Sequence, residues 1–241
     1  MIKIMVHVSK AIAGLLIALL FSSCFNGDTV DGSGNVIKQP RAISGEFTSI
    51  SVEKALEVYI IQGSPASVVV EADDNLQEHI KVELKGNELN ITSNVNIDAG
   101  SKKIIVTMPK VESIDASSAA TVKGKTVLKG DEIKLITDSA ATIEVAVDTK
   151  SLSCEAGSSG TIKVSGRTEE LESESNSAGS INAKGLIAQD AKSEAASGGS
   201  TIVNVIGKLT AEASSGGNIT YSNNPETVDS NATSGGSISK E

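Results

Sequence analysis

One serine recurs along the C-terminal half of the chain, at Ser118, Ser139, Ser158, Ser177, Ser197, Ser215 and Ser234, with spacings of 21, 19, 19, 20, 18 and 19 residues. A period of this kind, seven times over, confines the chain to a stacked-repeat architecture before any local structure is assigned. Three residues after each anchor stands a small polar residue: Thr121, Thr142, Thr161, Ser180, Ser200, Asn218 or Ser237. The next position is apolar and mostly β-branched, running Val122, Ile143, Ile162, Ile181, Thr201, Ile219, Ile238, and only Thr201 breaks that rule. Upstream of the anchor, side chains alternate with period two, as in Leu152, Cys154, Ala156, Ser158 and again in Leu209, Ala211, Ala213, Ser215. Alternation marks a strand with one buried face. Small residues after the anchor, such as Ala119-Ala120, Ser159-Gly160 and Gly198-Gly199, suit a sharp corner. No repeat carries a helical period of useful length, which excludes ankyrin, tetratricopeptide and leucine-rich arrays.

The physical solution is an all-β fold, a parallel, right-handed β-solenoid over residues 111–241 with about seven coils of about 19 residues. Strands of successive coils lie about 4.8 Å apart, so seven coils make a rod about 34 Å long. Extending the alternation through the anchor places the recurring serine inside. A buried hydroxyl costs free energy unless bonded. Each anchor serine is therefore expected to bond backbone or the next serine along the stack, and the Thr/Ser/Asn column at the corner is expected to do the same.

Composition agrees with a narrow interior. Aromatic residues are 2% of the chain and Trp is absent, so the core is built from Ala, Val, Ile and Leu. Lys plus Arg is 21 against 30 acidic residues, a net charge of -9, which argues against a nucleic-acid phosphate binder. Two His, His7 and His79, and two Cys, Cys24 and Cys154, leave little material for metal or triad chemistry.

Residues 1–23 read as a secretory signal: Lys3 and Lys10 form a positive start, Ala11 to Phe21 an apolar stretch, and Ser22-Ser23 a small-residue cleavage site. The apolar stretch is too short to span a bilayer. Leu20-Phe21-Ser22-Ser23-Cys24 resembles the lipobox of bacterial lipoproteins, in which the cysteine becomes the first mature residue and its thiol takes a diacylglyceryl group. The expected protein is thus exported and held in the outer membrane by a lipid on Cys24, at the cell surface or on the periplasmic face. Residues 24–45, with Gly27, Gly32, Gly34 and Pro40, read as a flexible tether that reaches at most ~70 Å. Cys154 then has no partner and reads as a small buried hydrophobe.

Residues 46–110 are also strand-rich: Thr48 to Val52, Leu56 to Gln62, Ser67 to Glu71, Ile80 to Leu84, Glu88 to Thr92 and Lys103 to Met108. Asp73-Asp74-Asn75 is placed to cap one short helical stretch running through His79. The block forms either the first, longer coils of the solenoid or a cap over its open end, and a continuous, less regular β layer is favoured. The stretches GEFTSISVEKALEVYIIQG at 45–63, VVVEADDNLQEHIKVELKGNELNI at 68–91 and IIVTMPKVESIDASSAATV at 104–122 resemble the putative auto-transporter adhesin, head GIN domain family of bacterial envelope proteins. The resemblance implies a β-solenoid-type fold on an exported, often lipid-anchored protein, and it carries over no catalytic or binding residues.

An enzyme would have to draw on a poor set. His79 is the sole His after Cys24, and it reads as an exposed helical residue. Arg41 and Arg167 are the only arginines, and Phe25, Phe47, Tyr59 and Tyr221 the only aromatics after Cys24, too few for a saccharide-active groove. No catalytic residues and no cofactor are therefore assigned. One surface feature stands out. Three residues before the anchors lie Asp115, Ile136, Glu155, Glu174, Glu194, Glu212 and Asn231, outward by alternation. Stacked like charges repel, and Lys192 and Lys163 flank them. The acidic column is expected either to be a solvated face or to recruit a divalent cation, calcium being the one suited to clustered carboxylates, or a basic partner. The function expected is a non-enzymatic envelope module that binds an unidentified protein or glycan, with a periplasmic structural scaffold as the alternative.

Overall fold

The computed structural model describes residues 28–241. The signal segment and Cys24 lie outside the described residues. In chain order the strands are β1 (Thr29–Asp31), β2 (Val36–Arg41), β3 (Ser49–Val52), β4 (Glu57–Gln62), β5 (Ser67–Asp73), β6 (Ile80–Lys85), β7 (Glu88–Ser93), β8 (Asn96–Asp98), β9 (Lys102–Met108) and β10 (Ser113–Ala116). They continue as β11 (Thr121–Thr137), β12 (Thr142–Ala156), β13 (Thr161–Ser175), β14 (Ser180–Ala195), β15 (Ser200–Asn204), β16 (Lys208–Ala213), β17 (Asn218–Ser222), β18 (Thr227–Ala232) and β19 (Ser237–Lys240).

The repeat folds as a parallel β-solenoid. In one wall Val52 is level with Ala116, then Thr137, Ala156, Ser175, Ala195, Ala213 and Ala232, one residue per coil. In the second wall Ile104, Val58, Val122, Ile143, Ile162, Ile181, Thr201, Ile219 and Ile238 form one inward column. A third run aligns Leu128, Val147, Gly166 and Leu186. The inward columns supply the core: Val58, Val122, Ile143, Ile162, Leu135, Cys154 and Leu209 are fully enclosed. Each coil contributes few large side chains, so the stability comes from apolar area added coil by coil.

The anchor serines are not inside. All seven are exposed, because the strand ends two residues before each of them and the chain turns there. Ser118 and Ala119 have φ of 53° and 62°, Ser177 and Ala178 of 48° and 62°, and Ser215 and Gly216 of 49° and 76°. The N–H groups of Ala120, Gly179 and Gly217 close these turns on the carbonyls of Ser117, Asn176 and Ser214 at 3.1, 2.8 and 2.8 Å. Two successive left-handed residues inside a four-residue hydrogen-bonded turn make a type I′ corner. The ladder that joins the anchors is made of backbone. Ala119 N–H donates to Ser139 O at 2.9 Å, Ala140 N–H to Ser158 O at 3.1 Å, and Ser159 N–H to Ser177 O at 3.1 Å. The Thr/Ser/Asn column is in register as expected, but its members are half-buried or exposed on the outside of the second wall.

The N-terminal block enters the same stack out of chain order. Strand β3 lies between β7 and β10, and β4 between β9 and β11, so the chain builds its second coil before its first. Antiparallel strands then cover the end of the stack: β6 on β7, β5 on β9, and β2 on β5. The segment read as a tether therefore carries two strands, β1 against β8 and β2 against β5. Neither has an alternating pattern of its own, and both draw their order from strands more than 25 residues away in sequence. The expected short helix shrinks to a single 3-10 turn, Asp74–Leu76, whose preceding Asp73 makes no side-chain cap bond. His79 follows it as a half-buried residue with Nδ1 3.0 Å from Asn94 Oδ1.

Candidate functional site

The outward columns of the first wall are fixed by the inward ones, since residues alternate across a strand. With Ile114, Leu135, Cys154 and Leu209 turned in, the residues between them must face out. The resulting column reads Ser51, Asp115, Ile136, Glu155, Glu174, Glu194, Glu212 and Asn231, each level with the next. Every acidic residue singled out in the sequence thus lies on one face in register. Toward the capped end the column borders a shallow groove of about 450 Å³, whose walls include Glu53, Asp115, Asp138, Glu155, Glu174 and Asn176.

Neighbouring carboxylates in this groove are tuned in opposite directions. Burial raises the Asp115 carboxyl above its usual range, and the negative charges of Glu88, Glu53, Asp138 and Glu155 raise it further. Asp138, one coil on, is lowered by the Ser158 hydroxyl and by hydrogen bonds from Ser139. Two anchor serines expected inside the rod thus serve the outer surface. Along the column, Lys134 Nζ lies 2.7 Å from Glu155 Oε1, and Lys192 Nζ lies 2.7 Å from Glu194 Oε1 and 3.7 Å from Glu172 Oε1. Lys192 relieves the stack as expected. Lys163 does not, because it stands on the second wall between Glu144 and Asn182. Among the described residues no three His, Cys, Asp or Glu side chains are grouped to hold a metal ion. Ile136 apart, the column carries one carboxylate per coil, a line of charge along the rod.

Hydroxyl chemistry lies elsewhere than the anchors. Thr149 Oγ1 donates within reach of Asp131 O and Ser151 O at 3.0 and 3.1 Å, and Thr168 one coil on repeats this with Lys150 O and Glu170 O at 3.1 and 2.9 Å. Their 19-residue spacing marks them in the sequence as one more column of the repeat. Inside the rod, Ser173 Oγ bonds Ser193 Oγ at 2.9 Å and Thr201 Oγ1 bonds Ser175 Oγ at 2.8 Å. Near the capped end Lys125 Nζ sits 3.9 Å from the centre of the Tyr59 ring, and the Tyr59 hydroxyl donates to Glu57 at 2.7 Å. The one described cysteine, Cys154, is enclosed, and burial pushes its thiol up to about 12. It is no nucleophile at neutral pH.

The whole fold recurs in solved structures. A putative adhesin from Bacteroides fragilis superposes with a TM-score of 0.79 at 19% identity, covering 88% of this chain and 100% of its own. A putative adhesin from Parabacteroides distasonis gives 0.73 at 20% identity, with 89% and 100% covered. A putative lipid binding protein, also from Parabacteroides distasonis, gives 0.69 at 21%, with 89% and 100% covered. At these identities the likeness is one of fold. No curated protein matches the chain. Residues 46–225, from just before β3 to the loop before β18, match the family model described as putative auto-transporter adhesin, head GIN domain, and the chain belongs to that family.

Proposed function

We propose that this protein is a non-enzymatic module of the bacterial envelope, exported, held by a lipid on Cys24, and binding a protein or glycan partner along its rigid outer walls. The observation that carries the reading is the in-register acidic column from Asp115 to Glu212, a line of charge set on a frame of stacked strands. Such a surface selects partners by shape and charge. The chemistry of the side chains supports it too. His79 faces an amide, and the Cys154 thiol is enclosed. The family's description as an adhesin agrees in kind.

Protease treatment of intact cells tests this, comparing the natural protein with Cys24→Ala. Shaving of the natural protein on intact cells, with release of the variant from the membrane, is the expected result. Digestion only after the outer membrane is opened would replace adhesion by a periplasmic scaffold.

A further inference from the structure

The two strands found in the presumed tether change how such a rod can be held. Asn96 N–H donates to Asp28 O at 2.9 Å, and Gly32 N–H donates to Asp98 O at 2.9 Å, so the first described residue, Asp28, is already paired and the pairing runs through β1. Both β1 and β2 lie at the same end of the molecule, beyond the terminal parallel coil formed by β7, β8 and β9. Only Phe25, Asn26 and Gly27 separate Asp28 from Cys24, a span of at most ~14 Å. A leash that short, fixed to one end of a rod, restricts which surface can meet the bilayer.

The surface at that end has the matching chemistry. Among the described residues β2 is the outermost strand, paired to β5 alone. Val36 is 46% and Ile37 39% exposed, one on each face of the strand, and the Lys38 side chain, on the same face as Val36 and paired with Glu71 at 3.1 Å, is 67% exposed. Apolar side chains flanked by a cation suit the boundary between acyl chains and headgroups. The opposite end, β18 and β19, lies ten strand spacings from β2 along the stack, or ~48 Å.

Resting on the proposed acylation of Cys24, we propose that the capped end, with the free edge of β2 and its Val36-Ile37-Lys38 surface, is the membrane-facing surface of this protein. The rod then stands on the bilayer by its cap and presents the acidic column along its length, with Glu212 farthest out.

The test uses full-length protein purified from membranes and reconstituted in phosphatidylethanolamine–phosphatidylglycerol vesicles carrying a headgroup acceptor dye. A donor dye is attached at Lys38→Cys or at Ser234→Cys, with Gln39→Cys replacing the first probe if its thermal melt is altered. The mass of the N-terminal peptide reports acylation separately. Acylated protein is expected to show several-fold stronger energy transfer from position 38 than from 234. Equal transfer from both positions in acylated protein, or stronger transfer from 234, overturns the orientation and leaves the anchor standing. An unacylated N-terminal peptide overturns the anchor and the orientation with it.

Discussion

Thr201 donates a 2.8 Å hydrogen bond to Ser175 inside the solenoid, and neither residue is reached by solvent. Thr201 occupies the spine position that is Val or Ile in every other coil of the repeat, and Ser175 occupies a column that is mostly Ala. The two exceptions answer each other. The pair ties two successive coils together, because Ser175 shares its coil with Ile181 and Thr201 stacks on Ile181 one coil on. Thr137, in the same column as Ser175, is likewise enclosed, but its hydroxyl has no partner.

Replacing threonine by valine is therefore expected to have opposite effects at the two sites. Thr201→Val strands the Ser175 hydroxyl and lowers stability by about 1–2 kcal/mol, and adding Ser175→Ala recovers most of the loss. Thr137→Val removes an unpaired polar atom at constant shape and leaves stability unchanged or raised. Denaturant melts of the three variants decide the matter, and a loss at Thr137 equal to that at Thr201 would contradict this account.

Adjacent corner glycines are needed for different reasons. Gly198 has φ of +75° with nothing within 4 Å of a built Cβ, whereas at Gly199 a Cβ would lie 2.2 Å from Ser175 O. Gly198→Ala is expected to cost about 1 kcal/mol through backbone strain alone. Gly199→Ala forces two coils apart and costs more, at the upper end of the ~1–3 kcal/mol range for overpacking. Equal melting temperatures for the two variants would count against the distinction.

Ala178, at φ 62° and exposed, tests the corner without touching the core. Ala178→Gly is expected to raise stability and Ala178→Val to lower it, each by about 1 kcal/mol. The order Gly, Ala, Val in thermal melts is the signature, since helix or strand propensity would rank them differently.

Asp115 carries a pH signature. Its carboxyl is raised in the folded state by burial and then by four acidic neighbours, so the folded protein holds this proton more tightly than the unfolded chain. Stability from this group is complete below the ordinary Asp range and is lost as pH rises through the raised value. Asp115→Asn should therefore melt higher than the natural protein at pH 7, and the gap should close in acid. A gap that persists or widens at low pH would sink the assignment.

Cys154 should be silent to thiol reagents in the native state. Its thiol is enclosed and pushed up to about 12, so modification must wait for opening of the coil. In a Cys24→Ala background, labelling that follows denaturant concentration is expected, and prompt labelling in buffer would show an open wall.

The stacking register was readable from sequence because a parallel solenoid places like residues on like residues: the Val122 to Ile238 spine and the Asp115 to Glu212 column are columns in space for the same reason that they are columns in a repeat alignment. Six of the seven strands of the N-terminal block were also visible, as strand-forming runs between turns, and the three-residue β8 was not. The anchor serines were misplaced because alternation was carried through a corner. It stops at Ala156 and Ala213, and two left-handed residues then turn Ser158 and Ser215 outward. The small residues after the anchor mark the corner, but that the turn begins at the serine itself is a backbone event that side-chain pattern does not encode.

What the sequence determined by itself is the coil: its length, its inner spine, its small-residue corners and the acidic outer column, all set by side-chain size and polarity within about twenty residues. What only the tertiary structure decided is how the end is closed. That β3 slips between β7 and β10, and that β1 and β2 leave the presumed tether to join β8 and β5, depends on partners far along the chain. Backbone hydrogen bonding is indifferent to side-chain identity, so a strand without an alternating pattern becomes ordered wherever a free sheet edge is within reach.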